Sequence, residues 1–501
     1  MPAKVLMIAF DSADPAFLGE LIDAGELPAL KSLRESGVSG PVAPPHGLGS
    51  DAYWRTIQTG VSPATHGVHF IRQITPGSYI ASRRFPSDTM HPPFWAAAAS
   101  SGFKLGLIDF PHSARIEGVE GIQVFEWGTH DAMTRMRASS KYLEADIKRR
   151  FGTDKVGPCD GHNCQDHEYR GLLDRLLERI ENKAALLAHY LDQDRWDLFA
   201  TAFHDSHCAG HQMWHIHDTE HVKHNPALLR ALGDPILQVY KALDAGLARV
   251  IKAAGPEASV VFVTGPGMRA NYTANGHIDE ILRRLEGTTP SKRGSAINRL
   301  RAIGRKALPT FVRLALYNIS FGFHERALAA ERSQRKCFAI FHNDISGAVR
   351  VNLVGREPNG KINPGAEYDR FCTELTADLM DIVNGETGKP LVEEVVRTAD
   401  LFEGDYLDHL PDLMVMWRHD SPVHTVKSAK IGEVHGTYRG NRTGDHNEDC
   451  LFIVSGKGIA PRRLNDAVDA ADLAPTVAAL AGISGVNVEG KPIADVCGHA
   501  G

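Results

Sequence analysis

Lys4-Val-Leu-Met-Ile-Ala-Phe-Asp11 is a short apolar run that ends in a carboxylate. A strand covered on both faces reads as a continuous apolar stretch, and in a parallel α/β sheet its C-terminal end delivers side chains to the binding edge. The run is therefore predicted to be a central strand that carries Asp11 to that edge. Residues 15–36 follow with apolar positions at Phe17, Leu18, Leu21, Ile22, Leu30 and Leu33, and Gly25 and Pro28 divide them into two helical pieces. The alternation recurs. Residues 104–110 (KLGLIDF), 196–203 (WDLFATAF), 259–264 (SVVFVT), 412–417 (DLMVMW) and 450–455 (CLFIVS) read as buried strands, with helical patterns over 170–192 and 235–254. The expected fold is α/β, a doubly wound, mainly parallel sheet flanked by helices. The polar stretch 129–169 and the Arg- and Ala-rich stretch 269–336 interrupt the pattern. Both read as insertions that cap the site of one domain spanning 1–501.

Composition narrows the function. The 501 residues carry 55 Lys+Arg against 61 Asp+Glu, a net charge of -6, so nothing favours a nucleic-acid or anionic-membrane partner. The apolar stretches fall short of the roughly 20 residues of a membrane-spanning helix. The opening run turns acidic at Asp11 and shows no small-residue cleavage site, so it reads as a strand rather than a signal peptide, with cytoplasmic residence as the default. Seven scattered cysteines argue against a disulfide framework, and Cys159 and Cys164, with His162 between them, read as a loop without metal. Self-association into a homo-oligomer is left open.

Histidine is the outlier, at 25 residues. His204, His207, His211, His215, His217, His221 and His224 crowd one stretch directly after the strand 196–203. Neutral imidazole is the commonest metal ligand, so part of this cluster is expected to hold a divalent ion. Asp205 leaves the same strand end, and Asp445-His446 precedes the strand 450–455. Carboxylate and imidazole together suit zinc or manganese. Ser50 follows the turn Gly47-Leu48-Gly49 at the start of a probable helix, whose N-terminal amides favour developing negative charge beside a hydroxyl, although Ser50 serves equally as a helix cap. Arg269 and Asn271 read first as a surface arginine and a turn asparagine, and are also candidates for holding a small anionic substrate.

These blocks, in their order along the chain, resemble the alkaline phosphatase superfamily, specifically its type I phosphodiesterase and nucleotide pyrophosphatase branch. The resemblance rests on VLMIAFDSADP (5–15), SDAYWRTIQTGVSPATHGV (50–68), PPFWAAAASSGFKLGLIDFP (92–111), VRVNLVGREPNGKINPGAEY (349–368), LPDLMVMW (410–417), DHNEDCLFIVSGKGI (445–459) and DLAPTVAALAGISGVNVEGKPI (472–493). It implies hydrolysis of a phosphate or sulfate ester, with Ser50 as nucleophile and one or two divalent ions, zinc in the first place. By position Asp11 resembles a ligand of the nucleophile-side ion. Asp205, His211 and His446 resemble the three ligands of the other, and His207 is the substitute for His211 because the Asp205–His211 spacing is longer than the family's. Trp54, His66, Arg350, Asn352, Arg356 and Glu357 read as structural.

Besides that spacing, the sequence departs from the family at a second, graver place. After SVVFVT the family carries an Asp-His pair, and here Gly265-Pro266 stands instead, with no side chain able to bind an ion. Ser50 is followed by Asp51-Ala52-Tyr53-Trp54, which lacks the sulfatase pattern. The Gly-Pro replacement motivates two alternatives: a transferase, lyase or isomerase using one metal ion on a charged small molecule, and a binding protein without catalysis.

Overall fold

A computed structural model describes residues 3–129, 135–159, 162, 164–288, 325–343, 345–436, 438 and 440–498. The chain forms two compact units: Met1–His66, Phe85–Asn271 and Gly440–Gly501 make the first, and Gly67–Arg84 with Tyr272–Arg439 the second. Much of the insertion expected over 269–336 lies outside the described residues.

In the first unit the apolar opening run is strand β1 (Ala3–Phe10). Asp14 then caps helix α1 (Pro15–Asp23) by accepting from the Phe17 amide at 2.9 Å, with Pro15 in the first turn where its missing N–H costs nothing. Helix α2 (Pro28–Ser36) restarts at Pro28, and β2 (Gly37–Ala43) leads into α3 (Gly49–Thr59), which Gly60 ends in the left-handed conformation. Strands β3 (Lys104–Ile108) and β4 (Glu120–Phe125), helix α4 (Tyr169–Gln193), strand β5 (Trp196–Phe203), helices α5 (Asp205–His217) and α6 (Pro235–Ala254), and strands β6 (Ser259–Thr264) and β7 (Met268–Ala270) follow.

The ten-stranded sheet runs β2, a late strand, β6, β1, β5, β3, β4 across its middle. Pairs β1–β5, β1–β6, β5–β3 and β3–β4 are parallel. Side chains along β1 alternate strictly between two cores, as a strand buried on both faces requires. Leu6, Ile8 and Phe10 pack with α4 and α6 through residues such as Leu176, Ile180, Leu243 and Leu247. Val5, Met7 and Ala9 face the opposite layer, which holds Tyr53, Trp54 and Ile57 of α3.

The second unit contains an antiparallel sheet of β8 (Cys337–Ile340), β9 (Ser346–Val351), β10 (Val392–Arg397) and β11 (Leu413–Trp417) in the order β8-β9-β11-β10, with helix α7 (Ala366–Met380) contributing Leu375 and Leu379 to its core. A buried ionic group pins the loop after β9. Arg350 Nε donates to Glu357 at 2.6 Å, and Arg356 Nη2 donates to Asp412 at 2.7 Å. These residues hold the loop by hydrogen bonds, and Asn352 joins them by donating to the Arg335 carbonyl at 2.8 Å.

The chain then returns to the first unit with β12 (Gly444–His446), β13 (Cys450–Ser455) and helix α8 (Leu473–Ala481). Two strands differ from a parallel reading. Strand β13 lies antiparallel between β2 and β6, and residues 413–417 belong to the second unit's own sheet. An apolar run reports burial on both faces and carries no information on direction.

Burial also sets an acid limit. His66 is wholly buried, and desolvation, helped by Arg55 and His91, lowers its pKa to about 3; burial beside His221 lowers His215 to about 4. Below the ordinary value of 6.5 the unfolded chain binds protons that the folded one refuses, so stability falls as pH drops from about 6.5 toward 4. Each of the two histidines is expected to contribute a slope of about 1.4 kcal/mol per pH unit in that window. Urea unfolding at pH 7.5, 6 and 5 reads it, and His66→Asn should remove one histidine's share. A flat profile would contradict the assignment.

Candidate metal centre and nucleophile

Phe10 of β1 lies in register with Phe203 of β5 and Thr264 of β6, so Asp11, His204 and Gly265 leave the sheet side by side at one edge. Asp11 is completely buried. Its Oδ1 accepts from the Trp54 indole N–H and from the Ser12 hydroxyl, each at 3.2 Å. Its Oδ2 faces His204 Nδ1 at 3.0 Å and His207 Nδ1 at 3.3 Å. The other nitrogen of His204 faces the Asp109 carbonyl at 3.1 Å. Ser12 (φ 58°) and Asp109 (φ 51°) both sit in the left-handed region at this edge, a strain that concentrates at functional sites. The Asp109 carboxylate accepts from the Trp127 and Gly128 amides at 2.9 Å and from Lys183 at 2.6 Å. Burial opposes its charge, but Lys183 and these donors hold the carboxyl below the usual range.

Helix α3 is fastened to the same edge. Tyr53 donates its hydroxyl to the Thr264 carbonyl at 2.6 Å, while Trp54 reaches Asp11. Ser50 is three and four residues before them, which puts it on the same helix face one turn toward the N-terminus. It is half-buried in the helix's first turn. The turn before it contains Gly47 (φ 75°) and Gly49 (φ 70°), conformations that favour glycine, and Glu448 holds it through His46 Nδ1 at 2.6 Å and the Gly47 amide at 2.5 Å.

The histidines of α5 and β12 converge. His207 Nε2 and His211 Nε2 are 2.6 Å apart, and the rings of His207, His211 and His446 have centroids 4.4 to 4.9 Å from one another. His211 Nδ1 faces the Gly444 carbonyl at 2.8 Å, which directs its Nε2 toward the group. Burial, then Arg442 and the other two imidazoles, holds His211 well below the ordinary histidine range, so its ring is neutral. Two sets have ligand atoms within 4.8 Å of one another: Cys159 with His207 and His211, and His211 with Asp445 and His446. The donor atoms of either set, which share His211, fit a divalent ion.

The structure thus brings Asp11, His207, His211 and His446 together. Asp205 is placed otherwise, its Oδ1 accepting from Arg179 Nε at 2.7 Å, and Arg179 also contacts Asp154 at 3.3 Å and Cys208 Sγ at 3.4 Å. Arg269 and Asn271 lie at β7, which pairs antiparallel with β12 and sets Arg269 opposite Asp445; Asn271 Nδ2 donates to Asp445 at 3.4 Å. Four neighbours escape a reading of the sequence. Trp54 reads as packing yet bonds Asp11, His204 is one of many histidines, Asp445 reads as a flank of His446, and Cys159 arrives from the 129–169 insertion. That insertion is fastened to α5 by Gln212, which donates to the Cys159 carbonyl at 2.9 Å. No spacing rule links Cys159 to residue 207. None of the seven cysteines is paired in a disulfide.

The mainly parallel sheet flanked by helices, with a buried carboxylate and imidazoles at its C-terminal edge, is an alkaline phosphatase-like fold. Residues 5–438 match the model of the type I phosphodiesterase / nucleotide pyrophosphatase family, and the chain belongs to that family. Membership places it among hydrolases of phosphorus esters. Its fold is similar to that of phosphonoacetate hydrolase from Sinorhizobium meliloti 1021, solved with phosphonoacetate, at 14% identity, 95% of each chain covered and a TM-score of 0.53. It is also similar to an inactive murine ectonucleotide pyrophosphatase / phosphodiesterase 5 solved with AMP, at 10% identity, 98% of this chain and 97% of that one covered, and a TM-score of 0.54. No curated protein matches by sequence. Among the described residues no helix is long and apolar enough to cross a membrane.

Proposed function

We propose that the chain hydrolyses a phosphate ester of a small anionic molecule, with Ser50 as nucleophile beside a divalent ion, zinc, held by the histidines of α5 and β12. The observation that supports this reading is the fastening of α3 to Thr264 and Asp11 through Tyr53 and Trp54, one helical turn after Ser50. Ser50 Oγ attacks phosphorus as its proton passes to solvent, the ester oxygen departs and takes up a proton, and water then releases the phosphoryl group and restores the serine hydroxyl. The first-turn amides of α3 stabilise charge on the phosphoryl oxygens. An ion held by the imidazoles would supply Lewis acidity to those oxygens. Asp11, already accepting from several donors, acts as a positioning carboxylate. Arg269 and Asn271, beside β12, are proposed to hold the remaining anionic part of the substrate. A homo-oligomer is compatible with this chemistry, and neither nucleic acid nor membrane is required.

Release of p-nitrophenol from bis(p-nitrophenyl) phosphate and from the monoester, with zinc or manganese present, tests the reaction. The Gly265-Pro266 turn favours a second reading, transfer to an acceptor other than water with a single ion. Turnover in ¹⁸O-labelled water separates the two, because hydrolysis places the label in the phosphate product and transfer does not.

A further inference from the structure

The two-ion arrangement implied by the resemblance needs side-chain ligands at 265 and 266, and this edge is closed to them. Gly265 is packed so tightly that a Cβ there would lie 2.9 Å from Asp11 Oδ1, from the Ser12 amide nitrogen and from Trp54 Cζ2. The indole of Trp54 fills that side and donates to Asp11 Oδ1, while His204 bridges Asp11 Oδ2 to the Asp109 carbonyl. Asp11 is therefore the hub of a hydrogen-bonded cluster, and the residues present do not fit a second ion. The other half-site has changed as well. Successive helical residues are turned by about 100°, so positions 207 and 211 share a face of α5 while 205 points roughly 200° away from 207. That turn takes Asp205 to Arg179 and brings His207 to His211 and His446.

We propose that the chain carries one divalent ion, held by the imidazoles of His207, His211 and His446. Asp11 orients the ring of His207 through Nδ1, and Asp205 serves as the buried partner of Arg179. Three protein ligands would leave such an ion able to bind substrate or water, as catalytic rather than structural zinc does. A carboxylate on the far nitrogen of a ligating histidine fixes its tautomer and strengthens it as a ligand. The proposal rests on reading this edge as the metal site of the hydrolase.

The test is metal content by elemental mass spectrometry on the full chain, purified without chelator and dialysed against zinc, with circular dichroism as the check on folding. The wild type is expected to hold one equivalent. His207→Ala, His211→Ala and His446→Ala should each fall below about a tenth of an equivalent, while Asp205→Asn and Cys159→Ser keep the ion. Asp11→Asn should weaken zinc about 10- to 100-fold in competition with a chelator. If Asp205→Asn does not fold, the paired change Arg179→Met/Asp205→Leu removes both charges and carries the same comparison. Two equivalents in the wild type, none, retention in His207→Ala, or loss in the Asp205 or Cys159 variants would overturn the assignment. One ion without ester hydrolysis would count against the proposed reaction alone, and two ions with hydrolysis against the single-ion centre alone.

Discussion

Ser50→Ala is expected to lower kcat for bis(p-nitrophenyl) phosphate by roughly a thousandfold or more, with zinc content and thermal midpoint unchanged. The large effect follows from the role assigned to the hydroxyl, since its loss removes the covalent intermediate rather than one contact among many. The small effect on stability follows from its position. Ser50 is half-buried in the first turn of α3, and that helix is held to the sheet by Tyr53 and Trp54, neither of which depends on residue 50. Rapid-quench experiments should show a burst of p-nitrophenol in the wild type wherever release of the phosphoryl group from serine is slower than its formation. Unchanged turnover in Ser50→Ala would make water the attacking group and leave Ser50 as the start of a helix.

Arg179→Met is expected to be the most destabilising of the single changes considered, by about 3–5 kcal/mol, because it strands the carboxylate of Asp205 in the core. Both side chains are 3% exposed, and the guanidinium is shared with Asp154 and Cys208. The double change Arg179→Met/Asp205→Leu should recover most of that loss, since replacing a buried pair by apolar groups is far cheaper than breaking it. Guanidinium-induced unfolding of the three proteins measures this directly. If the double variant is no more stable than Arg179→Met, the pair is not the cause.

The same pair marks where the sequence stops being legible. Asp11 is a candidate from sequence because it ends an apolar run, whereas His211 and His446 are singled out among many histidines by the family resemblance. The competition between Asp205 and His207 is decided by which face of α5 meets Arg179 on α4, a residue 26 positions earlier with no local signal. Trp54 is legible only as an apolar side chain on α3, and its indole N–H becomes meaningful once Asp11 lies 3.2 Å away. In the fold, β1, β5 and β6 follow the apolar runs almost to the residue, and α4 and α6 the helical patterns. What the patterns could not carry was strand direction, as with β13, or that residues 413–417 serve another sheet.

Strand β13 bears on how the chain matures. Residues 450–455 close the sheet between β2 and β6, more than four-fifths of the way along the chain. During synthesis the edges of β2 and β6 must wait for it with their backbone groups exposed, while residues 272–439, most of the second unit, emerge. Such distant pairing is slow, and uncovered apolar edges recruit other chains. Truncation before residue 450 would therefore yield an aggregating product rather than a smaller soluble one, and chaperone demand should fall mainly on the interval before residues 450–455 emerge.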